Sequence, residues 1–185
     1  MSAGAAKALT SSGPQNPFEL FGLPTAFGLD QEVLDKAYRE IQSRVHPDRF
    51  AHAGDAERRA SLQWTTRVNE AYRALKDPVQ RGKHILELQG VDVAFETNTQ
   101  MPTDFLLQQL GLREELESAT GGKDASRLDR LRSGLRLQQQ DLEQQIRLAI
   151  DMKKDYAGAA ELVRKLMFLD RLDAEIDAAY EEIEQ

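Results

Sequence analysis

The sequence predicts an all-α protein of two domains, and three observations carry that expectation. Apolar residues recur at three- and four-residue spacing along most of the chain. The apolar–polar alternation of strands is essentially absent. Pro, Gly and Asp fall where the periodic segments would begin and end. Composition agrees: of 185 residues, 41% are hydrophobic and 30% charged, which suits a folded, helix-rich chain.

Taken in order, residues 1–16 (MSAGAAKALTSSGPQN) are small and polar, with one lysine and no arginine. They lack a secretory apolar core and the arginines of a transit peptide, and read as a disordered tail. Residues 17–24 (PFELFGLP) read as a short helix stopped by Gly22 and Pro24. Asp30 is a suitable N-cap for a helix reaching Val45, with Val33, Leu34, Ala37, Tyr38, Ile41 and Val45 as its buried stripe. Pro47 cannot continue that helix, and it biases His46 away from helical angles. A loop from His46 to Gly54 then leads to a helix at about 55–76, with Trp64, Val68, Ala71, Tyr72 and Leu75 on its inner face. Asp77-Pro78 closes it, and a helix at about 79–89 ends at Gly90.

Residues 90–102 lose the helical period and read as a connection. Three further helices are expected: from Thr103 as cap to about 119 before Gly121-Gly122, then about 124–153, then about 156–182 with Asp155 as cap. Leu128, Leu131, Leu135, Leu142, Ile146 and Ala149 nearly follow a heptad seam whose other places hold Gln138 and Gln145, which suits a short antiparallel bundle.

Charge is unevenly spread. Lys and Arg number 24 against 31 Asp and Glu, a net charge of −7. Residues 1–90 carry 12 basic and 11 acidic side chains, whereas residues 91–185 carry 12 and 20. A second half at −8 is a poor partner for phosphate backbones, so nucleic-acid binding is not expected. With no cysteine, disulfides, thiolate metal sites and cysteine nucleophiles are excluded. No apolar run approaches the ~20 residues of a membrane span. Carboxylates are plentiful but lie on helix faces, without a paired base or a glycine-rich phosphate loop. Neither catalysis nor a cofactor is expected.

The loop holds the most informative residues, His46-Pro47-Asp48. A metal site could be drawn from His46, Asp48 and His52, but no fourth ligand is apparent, and a proline between ligands is a poor start for one. His52 and His84 read as surface or packing histidines. Tyr38-Arg39-Glu40-Ile41, Val45-His46-Pro47-Asp48-Arg49-Phe50 and Val68-Asn69-Glu70-Ala71-Tyr72-Arg73-Ala74-Leu75-Lys76-Asp77-Pro78 together resemble a J-domain over residues 17–78. The resemblance implies a helical hairpin that stimulates the ATPase of a DnaK-type chaperone. His46, Pro47 and Asp48 would dock at the junction of that chaperone's nucleotide-binding domain and linker. Arg39, Arg44 and Arg49 would supply basic contacts. Lys36 and Arg39 lie opposite the apolar stripe, although Glu32, Asp35 and Glu40 share that outer face.

The helix from residue 103 is apolar on two sides. At about 100° per residue, Phe105, Leu112, Leu116 and Ala119 fall within one ~60° arc, while Leu106, Leu107 and Leu110 point about 150° away with Glu114 among them. In the last helix, Leu162, Val163, Leu166, Leu169, Ile176 and Tyr180 define a buried side, and Phe168 points off it. Such outward apolar groups suit packing against the first domain or a partner-binding patch with an acidic rim.

Residues 105–117 (FLLQQLGLREELE) and 163–172 (VRKLMFLDRL) resemble the client-binding segments of the HscB co-chaperones, and residues 81–90 (RGKHILELQG) resemble their helix joining two domains. The family resemblance implies a connecting segment at 79–102 and a three-helix domain at 103–185 that binds the iron–sulfur scaffold protein IscU. The J-domain would deliver IscU to the chaperone HscA and stimulate its ATP hydrolysis. By position, Leu106, Leu107, Leu110, Glu114 and Phe168 become the scaffold contacts. Gly111 and Ser118 replace two glutamates of the family, which weakens the acidic rim. The tetracysteine zinc module of many eukaryotic relatives is missing, which implies a bacterial cytoplasmic protein. A general J-protein for unfolded clients, or a structural helical adaptor, would be the alternatives. Neither a glycine/phenylalanine-rich linker nor zinc-binding repeats support the first.

Overall fold

The computed structural model describes residues 16–93 and 101–184, and regular structure among these residues is entirely helical. The chain divides into two compact units, residues 1–81 and 82–185. The tail before Asn16, and residues 94–100 of the expected connection, lie outside the described residues.

The first unit begins with α1 (Pro17–Phe21). Asn16, assigned to the tail by composition, is its N-cap, accepting from the Phe18 amide at 2.9 Å. Gly22 ends it with φ 65°, a left-handed conformation that costs glycine little. α2 (Gln31–Val45) starts where Asp30 accepts from the amides of Glu32 and Val33 at 2.9 and 3.3 Å. One 3-10 turn (Pro47–Phe50) interrupts the expected loop before α3 (Asp55–Lys76).

Phe18, Phe21, Phe27, Leu34, Val45, Val68, Ala71 and Leu75 are buried in this unit. Each large side chain so buried contributes about 1.5–3 kcal/mol. The buried arc of α2 is narrower than its periodicity predicts. Val33 is exposed, and Ala37, Tyr38 and Ile41 are half-buried, because a two-helix hairpin covers less of each helix than a full bundle.

Polar groups close the hairpin edge. Tyr38 and Tyr72 stack at 4.1 Å between ring centroids. The Tyr38 hydroxyl donates to Asn69 Oδ1 at 3.0 Å, and the Tyr72 hydroxyl donates to Asp35 Oδ1 at 2.9 Å. Lys76 Nζ donates to the Tyr72 oxygen at 3.2 Å. The Tyr72 hydrogen bond lowers the pKa of Asp35, and that to Tyr72 raises the pKa of Lys76.

α4 (Pro78–Leu88) is capped by Asp77, which accepts from the Val79 and Gln80 amides at 2.7 and 3.1 Å. The division between units falls within this helix, after Arg81.

In the second unit, α5 spans Thr103–Gly121, α6 Ala125–Arg147 and α7 Tyr156–Ile183. Thr103 is the first helical residue rather than the cap; Pro102 is the N-cap, and no side chain caps this end. Asp124 and Asp155 cap the other two helices. The expected single helix over 124–153 is instead α-helical to Arg147 and widens into a π turn over Leu148–Lys153. That turn closes on Lys154 at φ 56°.

The predicted seam residues Leu128, Leu131, Leu135, Leu142, Ile146 and Ala149 are all buried, as are Val163, Leu166, Leu169 and Ile176. Gln138 is half-buried and Gln145 exposed. Phe105 meets Phe168, and Arg113 pairs with Glu175. α5 and α7 therefore run parallel, with α6 antiparallel to both. On the other flank, Arg132 bonds Asp177 and lies over the Tyr180 ring. The Tyr180 hydroxyl donates to Asp129 at 2.5 Å; burial and that bond raise its pKa.

Candidate functional site

The His46-Pro47-Asp48 turn is positioned by hydroxyls of the facing helix. A helix C-terminus leaves carbonyls without partners. At the end of α2, the Val45 carbonyl accepts from Ser61 Oγ at 2.6 Å and Thr65 Oγ1 at 3.3 Å. Ser61 is fully buried. This anchor depends on the register between two helices and is not legible in the sequence, although Ser61 lies seven residues before Val68 and so shares its buried stripe.

Within the turn, the Arg49 amide donates to the His46 carbonyl at 3.1 Å. The Asp48 amide donates to His46 Nδ1 at 3.3 Å. That bond occupies the Nδ1 lone pair, so the neutral ring carries its proton on Nε2. Arg49 Nη1 also donates back to the Ser43 carbonyl at 3.0 Å. The Asp48 carboxylate is left outside this hydrogen-bond network: its side chain is 90% exposed, and among the described residues its ion-pair contact is His46 Nδ1 at 3.5 Å.

Arg39, Arg44 and Arg49 are exposed. Asp35 is not on the outer face as predicted, because its bond to Tyr72 turns it toward α3. The Arg39 charge still acts on that carboxylate and helps to lower its pKa. His46, Asp48 and His52 do not converge: among the described residues, no three acidic or histidine side chains form a cluster able to hold a metal ion.

The second candidate surface is on α5. Leu106, Leu107 and Leu110 are 43, 61 and 55% exposed, and Glu114 is exposed beside them. Leu116 and Ala119 are buried and Phe105 and Leu112 half-buried, so the helix has the two faces its phase predicts. Buried Gln109 shares the inner face.

Phe168 requires a correction. It does not stand free of the bundle but is half-buried, edge-on to Phe105 with centroids 5.9 Å apart and planes at 70°. Lys165 Nζ lies 5.8 Å from the Phe105 ring centroid. This contact, invisible to single-helix phase, sets Phe168 beside the turn carrying Leu106. Ser118 accepts from Arg127 Nη1 at 2.9 Å, and a side chain at Gly111 would meet nothing within 4 Å.

Among the described residues no helix is long and apolar enough to cross a membrane. Comparison with known proteins places the chain in a family. Residues 101–177 match the family model described as the HSCB C-terminal oligomerisation domain. The co-chaperone protein HscB homolog of Burkholderia mallei is 49% identical over 167 residues, covering 90% of this chain and 95% of that relative. Chaperone HscB from Vibrio cholerae superposes with TM-score 0.77 and 34% identity, covering 91% of this chain and 99% of that one. Human co-chaperone HscB gives a TM-score of 0.82 at 25% identity, covering 89% and 81%. The chain belongs to the HscB family of co-chaperones, with an N-terminal J-domain and a C-terminal helical bundle.

Proposed function

We propose that the protein binds the iron–sulfur scaffold IscU through its C-terminal bundle, delivers it to the DnaK-type chaperone HscA and stimulates ATP hydrolysis by HscA. It acts without catalysis of its own, in the bacterial cytoplasm, a compartment its lack of cysteine suits. The observation that carries this reading is Asp48, whose carboxylate is exposed on a pre-formed turn and makes only a long 3.5 Å approach to His46 Nδ1 among the described residues. It is available to accept charge-assisted hydrogen bonds from a partner's arginine. The backbone bonds around it remove conformational freedom before docking, which lowers the entropy cost of association. Arg39, Arg44 and Arg49 supply basic contacts to the same partner.

Leu106, Leu107 and Leu110, with Phe168 at their side and Glu114 at the rim, form the scaffold contact. Exposed apolar side chains of this kind contribute by leaving water on association. Titrating purified IscU into the full chain, followed by steady-state ATP turnover of HscA, tests both halves. Binding together with stimulated turnover is expected. Absence of either one removes the corresponding half of the proposal.

A further inference from the structure

Beyond the Arg113–Glu175 pair, residues of α5 and α7 line a groove of about 460 Å³. Its lining combines Leu116, Thr120, Gly121, Ala178 and Ala179 with Glu117, Glu175 and Glu182. Glu175 is already paired with Arg113, whose Nε and Nη2 donate to its two carboxylate oxygens at 3.3 and 3.1 Å. Glu117 and Glu182 are exposed, and neither has an ion-pair partner among the described residues. A mostly apolar lining beside two carboxylates without ion-pair partners matches a lysine or arginine side chain, whose methylene stem is apolar and whose head is cationic.

The groove continues the apolar patch. Leu106, Leu110, Arg113 and Glu117 follow one another at four-, three- and four-residue spacing, so they form a single stripe along α5. Because α5 and α7 run parallel, Phe168, Glu175 and Glu182 accompany that stripe on the neighbouring helix. From Leu106 to Glu117 is eleven residues, about 16 Å along the axis.

Building on the scaffold reading above, we propose that the client surface extends down the α5–α7 seam. A cationic side chain of the scaffold enters the groove between Glu117 and Glu182, about 16 Å from the apolar residues held at Leu106 and Leu110. The Arg113–Glu175 pair bridges the seam between the two subsites and fixes their spacing.

The test is calorimetric titration of purified IscU into the full chain at low and high salt. Wild type is compared with Glu117→Gln/Glu182→Gln and with Leu110→Ala. The double glutamine variant is expected to bind about tenfold more weakly at low salt, with the deficit shrinking as salt rises. Leu110→Ala should weaken binding at both salt concentrations. Wild-type affinity and salt slope in the glutamine variant, with Leu110→Ala still impaired, would overturn the groove and leave the patch standing. Unchanged affinity in both variants would overturn the scaffold reading itself. Self-association in sedimentation that the glutamine variant abolishes, without loss of scaffold affinity, would assign the groove to a second copy and overturn the proposal.

Discussion

The two candidate surfaces are built by opposite means. The turn at His46–Asp48 is polar, and backbone hydrogen bonds with the Ser61 and Thr65 hydroxyls fix its shape. The α5 face is apolar, held as a surface only because Leu116 and Ala119 anchor the opposite side of the same helix. One site presents a single charge in one geometry, so removing that charge should remove function outright. The other spreads its contribution over several leucines and an aromatic edge, so losses there should be graded.

The largest effect is expected at Asp48. Asp48→Asn keeps the size of the side chain and should leave the melting curve unchanged, since the carboxylate makes only a long approach to His46 Nδ1. Stimulation of HscA ATP turnover should fall to baseline. Circular dichroism with a turnover assay checks both statements, and full stimulation by the variant would dissolve the contrast between the surfaces.

Next comes the leucine face. Leu106→Ala/Leu110→Ala should weaken scaffold binding by well over tenfold with little loss of stability, whereas a buried leucine would cost about 2–5 kcal/mol on truncation. Phe168→Ala should behave differently, losing scaffold affinity and also about 0.5–1.5 kcal/mol through its edge contact with Phe105. Melting curves and binding titrations on both variants separate the cases. An equal drop in melting temperature would make the leucines core residues.

A smaller effect belongs to the scaffolding of the turn. Ser61→Ala removes the shorter of two hydrogen bonds to the Val45 carbonyl, and should cost about 1 kcal/mol in urea unfolding. ATPase stimulation should fall partially, because Thr65 still holds the carbonyl. No change in either quantity would show that the turn needs no anchor from α3.

These anchors mark what the sequence leaves illegible. Helix ends were readable where a local signal sets them: Asp30, Asp155, Gly22 and Gly90 act on their own neighbours. The two faces of α5 were readable because phase is a property of one helix. Contacts that depend on the register between helices were not readable: Ser61 and Thr65 on Val45, Tyr72 on Asp35, Phe168 on Phe105, and Arg113 on Glu175. The π turn at 148–153 also escaped, since apolar spacing there fits a continuing α-helix. Pro102 displaced Thr103 as the cap of α5, with no side-chain hydrogen bond to replace it.

The smallest predicted effect is a pH dependence in the first unit. Tyr72 holds the Asp35 pKa below its ordinary value of 3.8. A carboxylate with a depressed folded pKa stabilises fully above its unfolded value and loses that contribution as pH falls through the folded one. Acid unfolding of wild type should therefore include a component below about pH 4 that Asp35→Asn lacks. Identical urea midpoints for the two proteins across pH 2–5, with no change in slope, would remove Asp35 from the hairpin lock.

One molecule must hold both partners for delivery, and mixing two defective chains tests this directly. Asp48→Asn retains the scaffold face, and Leu106→Ala/Leu110→Ala retains the J-domain turn. HscA turnover is measured with IscU present at a concentration that saturates wild type. The equimolar mixture should stimulate no more than the leucine variant alone, because the asparagine variant holds the scaffold on a molecule unable to dock. Turnover restored to the wild-type level would contradict the account, since delivery would then not require the two surfaces on one chain.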